Sequence, residues 1–161
     1  MKQFNLGDLA VYPNHGVGKV VSIEEKRLGS DTVSCYVITT LSSASKLFVP
    51  VDSASRLGLR GITPPSETTD VYRCFETKNP DLLRMNWNKR YRFLQDKMKL
   101  GTAYDVAMVI SDLLYLKKLK GLSYGEEKLL TDAEDILTTE LSISEEIPKA
   151  DVKEKIHSII A

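Results

Sequence analysis

Short apolar runs separated by turn residues fill the chain from residue 4 to about residue 60. We predict strands at 9–12, 19–23, 33–40 and 46–51, the second continuing through polar residues 24–27. Strands this short, bounded by Gly, Pro, Asn and Ser, are typical of a small antiparallel barrel. Pro50 cannot donate a hydrogen bond to a neighbouring strand, so it indicates an edge or the end of pairing.

From residue 63 onward, the apolar positions recur at the spacing of amphipathic helices. A short helix follows Pro64 and Pro65, because proline is tolerated in a first turn. Residues 78–81 end it. The apolar stripe of a second helix, which ends at Gly101, comprises Trp87, Tyr91, Leu94 and Met98.

Three more helices complete the pattern. Thr102 can cap the third, which is strongly apolar and has three lysines near its C-terminal end. Residues 123–126 form a capping box that begins the fourth, and a last helix follows Pro148. The predicted fold is α+β, with a small antiparallel β-barrel domain over residues 1–62 and a compact α-helical domain over residues 63–161.

Charge is balanced over the 161 residues but unevenly distributed. Residues 121–161 contain ten acidic and four basic residues and carry −6, so the first 120 residues carry +6. Six cations lie between Arg84 and Lys99, opposed only by Asp96. With no net charge, any affinity for nucleic acid must come from a local patch of this kind.

Candidate chemistry is sparse. Cys35 and Cys74 are far apart and lack a neighbouring His/Cys cluster, so we expect neither a metal site nor a disulfide framework. His15 and His157 lie at opposite ends, and no P-loop, nucleophile elbow or dinucleotide fingerprint occurs. We therefore expect no enzymatic activity and no small-molecule substrate. Without a signal peptide or a bilayer-spanning run, the expected location is the cytoplasm, away from membranes.

Residues 86–92 hold the only tryptophan, Trp87, together with Tyr91 and three cations. Bases stack on aromatic rings and phosphates attract cations, so nucleic acid is the partner that fits this mixture. The competing interpretation is a tryptophan buried at a helix start beside a solvated charged face. From the residues alone that second interpretation is slightly favoured, because large aromatic residues are usually buried.

The predicted strands offer another candidate surface. An unpaired edge strand can add to the sheet of a partner protein, which would make the edge near Pro50 a docking site. The helical half of the chain could equally cover that edge. The pattern of residues leaves both possibilities open.

Several motifs resemble the CarD/CdnL family of bacterial transcription regulators. The longest is GDLAVYPNHGVG at residues 7–18, which is also shared with a domain of the transcription-repair coupling factor. Its combination with NWNKRY at residues 86–91 is more specific to the family. The other matching segments, which follow in order as far as about residue 142, are 49–50, 58–60, 121–126 and 140–141.

The resemblance implies a Tudor-like barrel that docks on the RNA polymerase β subunit. It also implies a helical domain that contacts promoter DNA at the upstream edge of the melted region, in the minor groove and without reading sequence. Such a protein stabilises the open promoter complex and needs neither a cofactor nor a metal. We expect it to act as a monomer.

By position, the resemblance makes Trp87 a wedge in the minor groove, with Asn86 helping to orient it. It makes Lys89, Arg90 and Arg92 the phosphate contacts. The residues that it implies for polymerase docking are Lys26, Arg27, Val37, Ile38, Lys46, Phe48 and Pro50. Together with the surrounding positive charge, it favours an outward-pointing Trp87, with Tyr91, Leu94 and Met98 in the core.

Two features depart from the family pattern. Phe48 stands where some relatives have an arginine, so the polymerase contact there is expected to be apolar. Residues 131–135 are acidic where some relatives are basic, so we carry no DNA contact over to the fourth helix. The alternative function is an adaptor that binds polymerase or another factor through the β domain without touching DNA.

Overall fold

The computed structural model describes residues 4–160. Its strands are β1 (Leu9–Tyr12), β2 (Gly16–Leu28), β3 (Asp31–Thr40) and β4 (Lys46–Pro50). Its α-helices are α1 (Thr68–Arg73), α2 (Trp87–Leu100), α3 (Ala103–Leu119), α4 (Tyr124–Glu145) and α5 (Lys149–Ile160). Short 3-10 helices flank α1 and precede α2. The predicted α+β fold class, a Tudor-like β domain followed by helices, is confirmed.

The four strands form a sheet in which each pairs antiparallel with the next along the chain. The sheet is open, since none of the strand pairings among residues 4–160 joins β4 to β1. Instead, Arg60 returns to the free side of β1 and pairs with Val11. The β2–β3 pairing slips by one residue between Val20 and Ser22, which marks a β-bulge. The core side chains of the sheet include Val20, Tyr36, Ile38 and Val49.

The helical half has its own core, built around α3. Apolar side chains of α3 such as Ile110 and Leu113 are fully buried in a cluster to which every other α-helix contributes residues. Local signals set the helix ends. Gly101 ends α2 in a left-handed conformation, with φ of 74°. Thr102 and Asp105 cap α3, because the side chain of each accepts the backbone N–H of the other.

The helical half packs chiefly against β2, through α4. Ile136 of α4 lies directly over Gly16, where a side chain at residue 16 would be only 3.1 Å from the Ile136 Cγ1 atom. Within residues 4–160, β4 pairs with β3 alone, and Phe48 on β4 remains 42% exposed. This arrangement leaves the edge at β4 accessible.

Candidate nucleic-acid interface

Trp87 is the first residue of α2 and points outward. The helix begins there because Asn86 has an extended backbone and its Oδ1 accepts the Lys89 backbone N–H at 2.8 Å. Trp87 is 44% exposed, which confirms the prediction of an outward-pointing tryptophan. Asn86 sets where the helix starts and thereby the position of the ring.

The exposed ring is nevertheless held in place. Its Nε1–H donates to the Ser123 hydroxyl at 2.8 Å, and its face stacks on Tyr91 with centroids 5.0 Å apart and planes 12° from parallel. Tyr91 is therefore half-buried beneath Trp87. This corrects the prediction that it lies in the core with Leu94 and Met98, which are buried there. Both rings lie next to Gly125.

Ser123 joins the ring to α4, whose N-terminus it caps. A hydroxyl can donate one hydrogen bond and accept two. The Ser123 hydroxyl donates to the Glu126 carboxylate at 3.0 Å and accepts the Glu126 backbone N–H at 3.2 Å. The indole of Trp87 takes the remaining acceptor position, so every hydrogen-bonding group of this hydroxyl is used.

Arg90 lies behind this cap and is buried, with 5% of its surface exposed. Its Nε and Nη2 donate to the Glu126 carboxylate at 2.6 and 3.2 Å, and its Nη1 donates to the Met85 carbonyl. Burial acts to raise the pKa of the Glu126 carboxyl. The hydrogen bonds from Arg90 and Ser123 outweigh that effect and hold its pKa below the usual range.

This geometry corrects the prediction that Arg90 contacts phosphate. Its guanidinium is directed into the protein and neutralises a buried carboxylate, so it supports the Trp87 ring from behind. Lys89 and Arg92 are the two predicted phosphate contacts that remain exposed. Neither forms an ion pair with any other residue between 4 and 160. The free positive charge beside the ring is thus smaller than the sequence suggests.

Sequence reasoning missed four residues of this site. Ser123 and Glu126 carried the capping-box signal, but nothing in that signal links the cap to Trp87. Tyr91 fitted the apolar stripe equally well as a core residue. Tyr124 is the most exposed of the large apolar side chains described, at 88%, and follows Ser123 directly. Its position within the capping box at residues 123–126 was the sequence signal that could have placed it at this site.

The predicted docking residues fall on two faces of the sheet. Cross-strand partners share a face, and Val37 pairs with Phe48 while Pro50 pairs with Cys35. Lys26 lies on that same face, with its Nζ 4.1 Å from the centroid of the Phe48 ring. Lys46, two residues before Phe48, also shares it. This face, with the β4 edge beside it, is the candidate protein-docking surface.

Three predicted docking residues do not lie on accessible parts of that surface. Val37 shares the face but is fully buried beneath its neighbours. Ile38 faces the opposite way, opposite Val20 and in the sheet core. Arg27 is exposed, but it follows Lys26 directly and therefore points to the other face. β3 is also paired on both sides, so it offers a partner no free edge.

The described residues contain no group of three or more His, Cys, Asp or Glu side chains that could hold a metal ion. No helix between residues 4 and 160 is long and apolar enough to cross a bilayer.

Two protein families match the chain in succession. Residues 4–63 match the family described as CarD-like/TRCF RID domain, and residues 70–157 match the one described as CarD, C-terminal domain. The chain is 31% identical to the putative transcription factor YdeB of Bacillus subtilis (strain 168), over 93% of its own length and 97% of that relative.

More distant similarity connects the chain to a larger protein. It is 26% identical over 130 residues to the transcription-repair-coupling factors of Staphylococcus epidermidis and Staphylococcus aureus (strain USA300). That match covers 78% of the chain but only 10% of either coupling factor. Because the CarD domains match almost end to end and YdeB aligns along nearly its whole length, the chain belongs to the CarD family of transcription factors.

Proposed function

We propose that this protein is a transcription regulator that docks on RNA polymerase and stabilises the open promoter complex by placing Trp87 against DNA. The proposed docking partner is the β subunit, and the proposed DNA contact is the minor groove at the upstream edge of the melted region. The proposal includes no catalytic step. The observation that carries it is a ring that is exposed yet held by the Ser123 hydroxyl and by stacking on Tyr91.

The fixed orientation of the ring matters energetically. A side chain that is free to rotate loses conformational entropy when it binds, about 0.5–1.5 kcal/mol for a flexible one. Trp87 is already restrained, so it loses less conformational entropy when it binds. Stacking on a base contributes about 1–3 kcal/mol, while partly unstacking a base step costs a few kcal/mol. These terms nearly cancel, and phosphate contacts by Lys89 and Arg92 would make the balance favourable.

A balance this close suits a protein that shifts an existing equilibrium. One kcal/mol changes an equilibrium constant about fivefold, which is enough to alter the lifetime of an open complex. It is too little for tight binding to DNA by the protein alone. Docking on polymerase therefore has to bring Trp87 to its place on the promoter.

The β4 edge supports polymerase docking. In the part of the chain that the structure describes, β4 pairs on one side only, so its free backbone groups can accept a strand from a partner sheet. Phe48 and Lys26 lie together on the adjoining face and offer an apolar contact beside a cation. The RID domain that matches this half of the chain is shared with the coupling factors, which supports a polymerase partner.

The adaptor without DNA contact remains the second candidate. It is favoured by the charge of α4, where the exposed Asp132 and the half-exposed Glu127 lie near Tyr124 on the side where DNA would approach. Both carboxylates are ion-paired, Glu127 with Lys117 and Asp132 with Lys128, so they neutralise lysines that could otherwise contact phosphates. Polymerase binding that persists while Trp87 has no influence on open complexes would favour the adaptor.

The test is the lifetime of open complexes after a competitor traps free polymerase. We expect the wild-type protein to prolong it several-fold and Trp87→Ala to abolish most of that effect. Capture of the β subunit should be the same for both proteins. Leu100→Ala is the matched control, because Leu100 is a 65% exposed apolar residue at the other end of α2. Equal lifetimes with Trp87→Ala and wild type would refute the wedge.

A further inference from the structure

One buried carboxylate, Glu140 of α4, ties the helical half to the segment that follows the sheet. Nη1 and Nη2 of Arg60 donate to its two oxygens at 2.7 and 2.8 Å. The backbone N–H and the hydroxyl of Thr63 donate to Oε2 at 2.8 and 2.6 Å. Glu140 is fully buried, and only 22% of the Arg60 side chain is exposed.

Burial acts to raise the pKa of the Glu140 carboxyl, but the contacts with Arg60 and Thr63 outweigh it and hold the pKa below its usual range. Glu140 is therefore ionised at neutral pH. The charge is satisfied only while the two halves keep this arrangement.

Arg60 connects four parts of the chain at once. Its backbone exchanges two hydrogen bonds with Val11 of β1, at 2.7 and 3.1 Å. Its Nε donates to the carbonyl of Gly101, just after α2, at 3.0 Å. Its remaining nitrogens reach Glu140 and the carbonyl of Gly61. One residue thus relates the sheet, through its backbone, to α2, which begins at Trp87, and to α4, through its side chain.

Close packing surrounds this connection. Pro13, in the turn between β1 and β2, sits against Gly101, where an added Cβ would be 2.5 Å from the Pro13 Cγ. Gly58 leaves room for the same ring, with a corresponding distance of 2.7 Å. The two halves therefore meet without space for a side chain at Gly101, and Gly58 holds the Pro13 ring in place from within the β half.

We propose that Arg60 and Glu140 are positioning residues that lock the two halves into one rigid body, so that docking of the β4 edge carries Trp87 to its place on DNA. This inference rests on the proposed function. A buried ion pair adds little net stability, but it permits few alternative arrangements, because any other leaves a charge buried without a partner. A rigid connection also raises the effective concentration of the second contact once the first is made.

The first measurement is the distance between the halves. Spin labels replace the exposed Thr32 on β3 and Lys153 on α5, with Cys74→Ser to remove the partly exposed thiol. We expect one narrow distance distribution for the labelled protein that keeps Arg60 and Glu140. Arg60→Met/Glu140→Gln, in which the amide oxygen still accepts from Thr63, should broaden it. The matched control is Lys128→Met/Asp132→Asn, which removes an exposed ion pair within α4 and should leave it narrow.

The second measurement is function. Arg60→Met/Glu140→Gln should capture the β subunit as the wild type does, yet lose most of the prolongation of open complexes, a reduction on the order of tenfold in effective concentration. If this variant does not fold, Glu140→Gln alone retains an oxygen for both partners and should show a smaller loss in the same direction.

A disulfide provides the rescue. An ideal Cβ at Gly16 lies 3.6 Å from the Ile136 Cβ, within the range for a disulfide between the halves. Gly16→Cys/Ile136→Cys is added to Arg60→Met/Glu140→Gln, which we call the uncoupled variant. With the disulfide oxidised, this protein should again prolong open complexes, and with the disulfide reduced it should not. The reduced form controls for strain, since residue 16 has a φ of 80°.

A narrow distance distribution in the uncoupled variant would refute the proposal that Arg60 and Glu140 hold the halves together. A broad distribution would also refute it if the open-complex lifetime were unchanged or if oxidation of the disulfide did not restore it. If the wild-type protein itself does not prolong open complexes, the proposed function fails. The distance distributions then still decide whether Arg60 and Glu140 hold the halves together.

Discussion

The indole of Trp87 and the hydroxyl of Ser123 are joined by a 2.8 Å hydrogen bond, although 36 residues separate them. An exposed residue at the start of α2 is thereby oriented by the cap of α4. The same hydroxyl donates a hydrogen bond to the Glu126 carboxylate, which in turn accepts from the buried Arg90. The orientation of the proposed DNA-contacting ring consequently depends on an ion pair in the protein interior.

Ser123→Ala should release the ring while leaving Trp87 present. We expect a stability loss of about 1 kcal/mol from the missing cap and faster rotation of the indole, seen in the decay of tryptophan fluorescence anisotropy. Open-complex lifetimes should fall between those of wild type and Trp87→Ala. Thr102→Ala is the control, because it removes the corresponding cap of α3 without touching Trp87. Identical anisotropy decays for the two variants would show that Ser123 does not restrain the ring.

Lys89 and Arg90 are adjacent, but replacing each with methionine should have different effects: loss of stability at Arg90 and loss of function at Lys89. Arg90→Met leaves Glu126 buried without its partner, which should cost about 3–5 kcal/mol in denaturant unfolding. Lys89→Met should change the free energy of unfolding by less than about 0.5 kcal/mol, since the Lys89 side chain is exposed. It should nevertheless shorten the lifetime of open complexes. A small stability change for Arg90→Met would contradict the buried role assigned here.

Phe48→Ala should weaken capture of the polymerase β subunit while the protein stays folded. Phe48 is partly exposed, and its loss removes the apolar contact that we propose for the partner. The lost cation–π interaction with Lys26, about 0.5–1 kcal/mol, lowers only the stability of the fold. Leu28→Ala is the control, being an exposed apolar residue at the far end of β2. Capture that is unaffected by Phe48→Ala and reduced by Leu28→Ala would move the docking surface away from β4.

Asp112 should make stability depend on pH in an unusual direction. Burial raises the pKa of this α3 carboxyl to about 6, although Lys97 partly opposes the shift. The folded protein therefore holds the proton more tightly than the unfolded chain, in which an Asp pKa is about 3.9. Its contribution to stability is most favourable below about pH 4 and is lost as the pH rises through about 6.

Asp112→Asn should accordingly stabilise the protein at pH 7.5, by up to about 3 kcal/mol, and bring no advantage near pH 4. Chemical denaturation of both proteins across this range gives the difference directly, and the effects of other carboxyls cancel in it. A difference that does not vary with pH would mean that Asp112 titrates as an ordinary surface carboxyl.

Local signals in the sequence predicted most of the secondary structure. The run at Leu9–Tyr12 and the caps at Thr102 and Ser123 lie where expected, because turns and caps depend on neighbouring residues. The predicted continuation of β2 through residues 24–27 is confirmed, and β2 is longer than expected because it begins at Gly16, where residues 16–18 pair with β1.

Contacts between distant residues were not predictable in this way. The partner of Arg90 lies on another helix, so its cationic neighbours suggested a surface role that burial excludes. Val37 and Ile38 matched a docking strand by position, but β3 proved to be an inner strand. Helical period placed Tyr91 inside, whereas the capping hydroxyl of α4 holds Trp87 over it and makes it part of the surface.

The division of charge along the chain bears on where in the cell such a protein would reside. With Lys89 and Arg92 as its phosphate contacts, the logarithm of DNA affinity should fall with the logarithm of salt with a slope of only about −2. The net −6 of residues 121–161, present on the same body, further weakens attraction to bulk DNA. If the proposed function holds, the protein should not be sequestered by the large excess of non-promoter sites on the chromosome. Its distribution along the genome should follow that of the polymerase.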